Sequence, residues 1–393
     1  WIQQKLHIIY PNPRLGIKLV SPKRYVVDYS APNVAKEMHV GHLRSTVIGD
    51  SIVRMLSFKG HIVIRENHIG DWGTPFGMLI EHLLDMGEAE AANELNVGDL
   101  DGFYKQARSK FNLSEEFANR ARKRVVSLQS GDIETMRLWK ILVSESMRYF
   151  NDVYSMLNVL LVDDDIRGES SYHDLLPIVM NRLTKSKLLV KSDGAEVVYP
   201  KKKWLNRQGE EMPMIIRKGD GGYNYSATDL ACIIDRTERM SCTEFIYVVG
   251  TPQKQHFDMV FDIAKMAKLM DGRHTATHVN FGSVLGPNGK ILKSREGNVI
   301  KLVDLLKEAI LRAEKTIMEK NPQLTGEDRK KVAKMIGIGA IKYADLSTER
   351  TKDYIFDWEK MLSFDGNTAP YLQYAHARIC SIFSKSEKPL LSS

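Results

Sequence analysis

The chain has 393 residues, of which 43% are hydrophobic and 27% are charged. This length predicts about two or three domains, and the composition excludes a disordered, collagen-like or coiled-coil chain. With 56 Lys and Arg against 49 Asp and Glu, the formal net charge is +7. That excess is compatible with a nucleic-acid partner without requiring one, and the absence of any run of about 18 apolar residues predicts no membrane span.

Three cysteines are present, and they form no Cys-x-x-Cys pair: Cys232, Cys242 and Cys380. Neither a disulfide scaffold nor a zinc ribbon is predicted, which favours a reducing compartment. The chain begins with Trp1, and no signal or transit peptide is visible. We therefore expect a fragment of a longer cytoplasmic protein, and an organellar location stays open.

The first elements predict a βαβ unit. Residues 24–30 have the composition of a short buried strand, which a proline ends. A helix is predicted from near Gly41 to a cap at Gly60, and residues 61–65 form the next strand. Strand, helix and strand within about 45 residues indicate a parallel sheet with a right-handed crossover. The loop before the helix then leaves the carboxyl end of a strand, where open α/β sheets bind ligands.

The rest of the chain predicts an insertion and then helices. Residues 80–187 have a helical, polar pattern, and a strand-like stretch at 195–199 follows. The α/β pattern returns at 214–216 and 245–249, and helical spacing dominates after residue 303. We predict an α/β fold, with a Rossmann-like parallel-sheet nucleotide-binding domain split by an insertion and followed by an all-helical C-terminal region. The predicted boundaries are 23–85 and 214–302 for the two halves, 86–213 for the insertion, 303–342 for a helical connection and 343–393 for a last helical region.

The sharpest motif is His39-Val40-Gly41-His42, between the first strand and its helix. Free backbone N–H groups and the dipole at a helix N-terminus favour phosphate, and two imidazoles there can donate to phosphate oxygens. Gly41 would let a nucleotide approach the backbone closely. A pair of histidines that only caps the helix is the alternative.

Other nucleotide and metal sites are less well supported. The chain has no P-loop, because Val284 stands where Gly289-Lys290 would need an earlier glycine, and it has no Gly-x-Gly-x-x-Gly after a strand. This disfavours a kinase, a P-loop ATPase and a dinucleotide oxidoreductase. A zinc site from His39, His42 and His68 has suitable ligand types but no nearby carboxylate at helical spacing, so we expect no resident metal.

A second feature is the glycine-rich, cationic loop of residues 286–297, which is suited to gripping a polyphosphate. Basic surface loops are common, so this loop alone decides nothing. Together with the His-x-Gly-His motif, however, it resembles the His-Ile-Gly-His and Lys-Met-Ser-Lys-Ser signature pair of class I aminoacyl-tRNA synthetases. The flanking sequence is similar to arginyl-tRNA synthetases over about residues 23–383. The similar blocks are residues 30–46, 67–80, 167–172, 220–231, 247–257 and 366–375.

The chain departs from this family's pattern at several places. Ala31 stands where the family has serine, Ile291 where the loop often begins with lysine, and Ser294 at the loop's second lysine. By the same resemblance the N-terminal tRNA-elbow domain is absent, and residues 343–393 are only the start of the anticodon-binding helical domain.

The resemblance implies an arginine–tRNA ligase that uses ATP and Mg²⁺ to form arginyl-adenylate and transfers arginine to the 3′-terminal adenosine of arginine tRNA. It implies catalytic roles for His39, Gly41, His42, Lys293 and Arg295. It implies ATP contacts for Lys36, His39, His42, Lys293 and Ser294. It implies arginine contacts for Ser30, Ala31, Asn33, His42, Glu169, Tyr225, Asp229 and Gln253.

The chemistry of arginine agrees with one part of that set. A planar guanidinium needs carboxylate partners, and Asp229 and Tyr225 at i and i+4 would share one helical face. Basic runs at 120–124 and 201–203 offer phosphate contacts, or are only solvated helix faces. Two other functions stay open: a non-catalytic tRNA-binding relative or inactive fragment, and another nucleotidyl transferase with a His-x-Gly-His loop. The oligomeric state is not indicated by the sequence, and we expect a monomer.

Overall fold

The computed structural model describes residues 1–9, 12–88, 90–91, 100–206, 208–286, 288–290, 292 and 300–385. Its α-helices are α1 Ile2–Ile9, α2 Val40–Phe58, α3 Thr74–Met86, α4 Leu100–Leu113, α5 Glu115–Gln129, α6 Ile133–Leu157, α7 Leu176–Lys185, α8 Tyr225–Ile234, α9 Lys254–Met266, α10 Leu302–Lys320, α11 Gly326–Leu346, α12 Trp358–Leu362 and α13 Ala369–Ser384. Its strands are β1 Arg24–Asp28, β2 Ile62–Glu66, β3 Val190–Ser192, β4 Ala195–Val198, β5 Met214–Arg217, β6 Glu244–Tyr247, β7 Thr275–His278, β8 Val284–Leu285 and β9 Tyr354–Ile355.

A four-stranded parallel sheet, in the order β2-β1-β6-β7, forms the centre of the molecule. Helix α2 connects β1 to β2, so the predicted βαβ unit and the α/β fold class are confirmed. The two central strands carry buried apolar side chains such as Val26, Val27 and Phe245. Such burial on both faces is typical of a parallel sheet covered by helices.

One predicted strand belongs to a different sheet. Strand β5 pairs antiparallel with β4, which pairs antiparallel with β3. The parallel sheet resumes only at β6, so our expectation that the α/β pattern returns at residues 214–216 is wrong. The apolar run Met214-Ile215-Ile216 predicts a strand, but a run that short does not specify its partner.

The helices after residue 300 are fastened to the parallel sheet by a buried arginine on α2. Arg44 is 1% exposed and lies 3.2 Å from the carboxylate of Asp345 on α11. Its guanidinium also donates to the carbonyls of Gly282, at 2.8 Å, and Lys352, at 3.0 Å. Strand β8 pairs with β9 beside this contact, so the region after residue 302 is not entirely helical. Removing either charge would leave its partner buried and unpaired, which is strongly destabilising.

No helix in the described part of the chain combines the length and the apolar character that a membrane crossing requires. The three cysteines are free thiols: Cys232 and Cys242 are buried and Cys380 is exposed.

Candidate active site

The candidate site lies at the carboxyl edge of the parallel sheet. Asn33 follows β1, His68 follows β2, and Gln253 follows β6, which are three neighbouring strands. Parallel strands end at the same edge, so these residues come together although the chain separates them widely.

At the N-terminus of α2, His39 and His42 are held by backbone amides. The Nδ1 of His39 accepts from the Gly41 N–H at 3.0 Å, and the Nδ1 of His42 accepts from the His39 N–H at 3.0 Å. Each ring therefore carries its hydrogen on Nε2, which donates to no described residue. Burial lowers the pKa of His39 and lowers the pKa of His42 to about 3. Capping and phosphate binding are therefore compatible, because they use opposite nitrogens of a neutral ring.

The second signature loop lies mostly outside the described residues. These are the residues of our prediction that fall there: Ile291, Lys293, Ser294 and Arg295. The chain that leaves the loop returns to the first motif: the Val40 N–H donates to the carbonyl of Ile300, and the Leu302 N–H donates to the carbonyl of Met38 at 2.7 Å. The tertiary structure thus brings Ile300 and Leu302, which follow the second motif in the chain, against the first motif.

The segment between β1 and α2 has an unusual backbone. Ser30 has φ +73° and Ala31 has φ +48°, a left-handed conformation that is strained without glycine and is common at functional sites. The Ser30 hydroxyl is buried against the hydroxyls of Tyr154, at 2.8 Å, and Thr46, at 2.9 Å. The Ala31 N–H donates to the side chain of Asn67. Ser30 therefore supports the segment from within, whereas Ala31 is partly exposed at its surface.

Two further predicted residues lie on this segment. Asn33 is exposed, and its backbone forms a β-bridge with Gly70. A Cβ at Gly70 would clash with the Asn33 amide oxygen, so glycine at this position leaves room for the Asn33 side chain at the sheet edge. The Lys36 ammonium lies 4.3 Å from the centre of the Tyr104 ring, and its charge contributes to the lowered pKa of His39.

Tyr225 and Asp229 lie one turn apart on α8, as the spacing predicts. Both contact His256 on α9: its Nε2 is 2.5 Å from Oδ2 of Asp229, and its ring centre is 4.8 Å from that of Tyr225. Gln253 closes the short 3₁₀ turn Thr251–Gln253 that leads into α9. Two of the predicted arginine contacts, Tyr225 and Asp229, therefore contact one imidazole, and Gln253 lies three residues before it in the chain.

Glu169 begins the 3₁₀ segment Glu169–Leu175, which lies against the residues that follow β2. Its N–H donates to the carbonyl of Ile69 at 3.1 Å, and the Asp71 carboxylate accepts from the N–H and hydroxyl of Ser170. The pKa of Glu169 is raised to about 7, chiefly by burial; the charge of His68 lowers it, and the charges of Asp71 and Asp229 raise it. The charge of Asp229 therefore acts on the Glu169 carboxyl.

The sequence analysis missed two residues that hold the site together. His256 lies within the block 247–257 but received no role, and Asn67 connects the Ala31 backbone to the Tyr154 hydroxyl. The sequence signal that could have found His256 is its position three residues after Gln253, since helical spacing places two such residues close together. Its partner, Asp229, is 27 residues away in the chain, which spacing cannot reveal.

Two of the four basic side chains in the run at residues 120–124 pair with carboxylates. Arg120 and Arg124 pair with Glu81 on α3 at 2.9 and 2.6 Å, and Arg120 also pairs with Asp85. In the run at 201–203, Lys203 pairs with Glu211. These residues are less available for phosphate than the sequence suggests.

Within the described ranges, no group of three or more His, Cys, Asp or Glu side chains is arranged to hold a metal ion. The alternative of a zinc site from His39, His42 and His68 has no such group to support it. His68 instead places Nδ1 3.0 Å from the carbonyl of Arg167, to which it donates.

Comparison with known proteins agrees with this geometry. The family described as "tRNA synthetases class I (R), catalytic domain" matches residues 6–358. The chain belongs to this family. It is 50% identical to the arginine–tRNA ligase of Thermobifida fusca (strain YX) over 385 residues, which are 98% of this chain and 66% of that protein. It is 48% identical to the arginine–tRNA ligase of Yersinia enterocolitica over 98% of this chain and 67% of that protein.

Solved structures of arginyl-tRNA synthetases have the same fold. The Plasmodium falciparum enzyme is 32% identical with a TM-score of 0.77, over 94% of this chain and 60% of that one. The Thermus thermophilus enzyme is 23% identical with a TM-score of 0.78, over 99% of this chain and 68% of that one. The chain spans about two thirds of the length of the curated relatives it matches.

Proposed function

We propose that this chain is the catalytic portion of an arginine–tRNA ligase, which activates arginine with ATP and transfers it to the 3′-terminal adenosine of arginine tRNA. The observation that carries the proposal is that groups suited to two oppositely charged ligands lie at the same edge of the sheet. Neutral imidazoles at a helix N-terminus suit an anionic phosphate, and the carboxylates of Asp229 and Glu169 suit a guanidinium.

At the arginine end, Asp229 would accept the guanidinium, with Glu169 as a second carboxylate and Tyr225 packing beside it. Gln253 and Asn33, at the ends of adjacent strands, would hold the α-amino and α-carboxylate groups. Ala31 would border them through its backbone, since it has no hydroxyl. Charged pairs in a desolvated pocket provide specificity because an unmatched partner leaves a buried charge.

At the ATP end, the Nε2–H groups of His39 and His42 would donate to the phosphates, and Gly41 would leave room for the nucleotide beside the backbone. Lys36 would add a positive charge near them. Lys293, Ser294 and Arg295 would act from the second loop, because Ile300 and Leu302, which follow it in the chain, lie against the first motif. These groups would stabilise charge as the arginine carboxylate attacks the α-phosphorus and pyrophosphate leaves.

Both nucleophiles come from substrates: the arginine carboxylate in the first step, and a ribose hydroxyl of the terminal adenosine in the second. The protein therefore supplies position and charge stabilisation. Mg²⁺ would arrive with ATP.

The proposed function gives each predicted region of the chain a role. The sequence predicts two halves of the catalytic domain at 23–85 and 214–302 around an insertion at 86–213. Because β5 pairs antiparallel with β4, the insertion would instead extend to Arg217, and the second half would begin after it. Residues 303–342 would connect to an anticodon-binding domain that begins at 343–393. Three free thiols support a reducing, cytoplasmic location, and we propose a monomer.

Arginine-dependent exchange of labelled pyrophosphate into ATP, with and without arginine tRNA, tests the proposal. We expect exchange that requires L-arginine and increases with arginine tRNA. Lysine in place of arginine is the matched control. Binding of tRNA without any exchange would indicate a non-catalytic relative, and exchange independent of arginine would indicate another nucleotidyl transferase.

A further inference from the structure

Among the described residues, the His256 side chain contacts both Tyr225 and Asp229, and the proposed function gives it no role. A carboxylate can only accept a hydrogen bond, so Nε2 of His256 carries the hydrogen and donates to Oδ2 of Asp229. We propose that His256 is a positioning residue that holds the Asp229 carboxylate in the orientation a guanidinium requires, and thereby sets the preference for arginine over lysine. This inference rests on the proposed function.

The hydrogen bond between His256 and Asp229 is shielded from water, and the His256 ring is packed on two sides. The side chains of His256 and Asp229 are 13% and 17% exposed. The His256 ring packs against Tyr225 on one helix and lies 5.3 Å, edge to face, from its neighbour Phe257 on the other. A hydrogen bond screened from water in this way is stronger than one at the surface. The imidazole therefore has little freedom to follow a rotating carboxylate.

The other carboxylate oxygen is free for a ligand. In the part of the chain that the structure describes, the hydrogen bonds of Asp229 go to His256 alone, through Oδ2. Oδ1 is thus the oxygen that a substrate can use fully. With one oxygen held by His256, the plane of the carboxylate and the direction of Oδ1 are set before arginine arrives.

A preset carboxylate plane affects the two basic amino acids differently. Arginine presents a rigid planar fork, whose N–H groups must lie in the plane of their acceptor. Lysine presents a compact ammonium with three rotatable donors, which adapts to a carboxylate in any rotation. Loss of the His256 hydrogen bond should therefore weaken arginine more than lysine. A residue that only packs in the core would affect both equally.

Two substitutions at this position separate orientation from packing. His256→Leu keeps apolar bulk and removes the donor, whereas His256→Gln keeps an N–H donor near the place of Nε2. His274→Gln is the matched control, because His274 precedes β7 at the opposite edge of the sheet. Thermal melting of each variant establishes that it folds.

The readouts are the dissociation constants of the 393-residue chain for L-arginine and ATP by calorimetry, with L-lysine measured as a competitor. We expect His256→Leu to weaken L-arginine about tenfold or more, as for loss of a bond to a charged group, with ATP and L-lysine changed less than threefold, about 0.65 kcal/mol. His256→Gln should recover most of the affinity, and His274→Gln should match the wild type.

Several results would overturn the inference. Equal weakening of L-arginine and ATP in a folded His256→Leu protein would mean that the residue is structural. If His256→Leu does not fold, His256→Gln is compared with His256→Asn, whose shorter amide cannot reach Oδ2 of Asp229. Equal losses of arginine affinity in these two variants, with His256→Gln folded, would contradict the inference. A wild-type chain that does not bind L-arginine would overturn the proposed function as well. A wild type that binds it, with His256→Leu unchanged, would overturn only the role of His256.

Discussion

The ATP end and the arginine end of the site are held in different ways. At the ATP end, His39 and His42 bond to backbone amides within four residues of each other. At the arginine end, Asp229 bonds to His256 from another helix, and the backbone of Glu169 bonds to Ile69 in a segment distant in the chain. The first arrangement is local, and the second exists only when several segments of the chain are packed together.

The two ends also differ in charge. Burial keeps both imidazoles neutral, which leaves the helix N-terminus and nearby lysines to provide the positive field for phosphate. The arginine end collects carboxylates, and their mutual repulsion is relieved when a cation enters. The ATP end therefore relies on hydrogen-bond donors that are already oriented, whereas the arginine end relies on carboxylates whose charge the guanidinium neutralises.

The largest expected effect separates the two ends. Asp229→Asn should weaken arginine binding by about 2–5 kcal/mol, because a buried guanidinium then lacks its charged partner. ATP binding should barely change, since its contacts belong to the other end. Calorimetry with each ligand measures both effects. Equal weakening of arginine and ATP would mean that Asp229 supports the whole fold.

The second effect concerns the ATP end. His42→Ala should lower the rate of arginyl-adenylate formation at least ~10²-fold, as expected when one preorganised donor to developing charge is removed. Arginine affinity should fall far less, although the resemblance also assigns His42 to the arginine site. Single-turnover assays measure the rate, with His61→Ala, before β2 at the opposite sheet edge, as the control. A variant that keeps the wild-type rate would remove His42 from the mechanism.

A smaller effect tests whether charge limits the arginine end. Glu169, whose pKa burial raises to about 7, is mostly neutral below that pH and mostly ionised above it. Because a guanidinium prefers the ionised form, arginine affinity should rise from pH 6 to pH 8 by about tenfold and then level off. Arginine titrations across this range measure it. Glu169→Gln should bind arginine weakly with little of this slope, and an unchanged slope would exclude Glu169 as its source.

The smallest effect is discrimination among tRNAs. Phosphate contacts carry little sequence information, and two arginines of the 120–124 run are already paired with Glu81. We expect weak tRNA binding that falls steeply with salt and differs less than about threefold between arginine tRNA and a non-cognate tRNA. Binding measured between low and physiological salt gives the slope. Strong, salt-insensitive selectivity would mean that these domains read the acceptor end themselves.

Features that depend on residues close together in the chain could be predicted from the sequence alone. Strand, helix and strand around His39-Val40-Gly41-His42 were predicted and confirmed, because periodicity and helix-end signals act within a few residues. The spacing of Tyr225 and Asp229 on one helix followed from the same local rule. The roles given to these residues by resemblance remain predictions.

Contacts between residues that are distant in the chain were visible only in the tertiary structure. It placed β5 in an antiparallel sheet, bound Arg44 to Asp345 across 301 residues, and set His256 against Asp229. In addition, the imidazoles of His39 and His42 cap α2 through Nδ1, and Nε2 of each donates to no described residue. Such pairings depend on packing between segments distant in the chain, or on which nitrogen a backbone amide reaches, and no spacing rule encodes either.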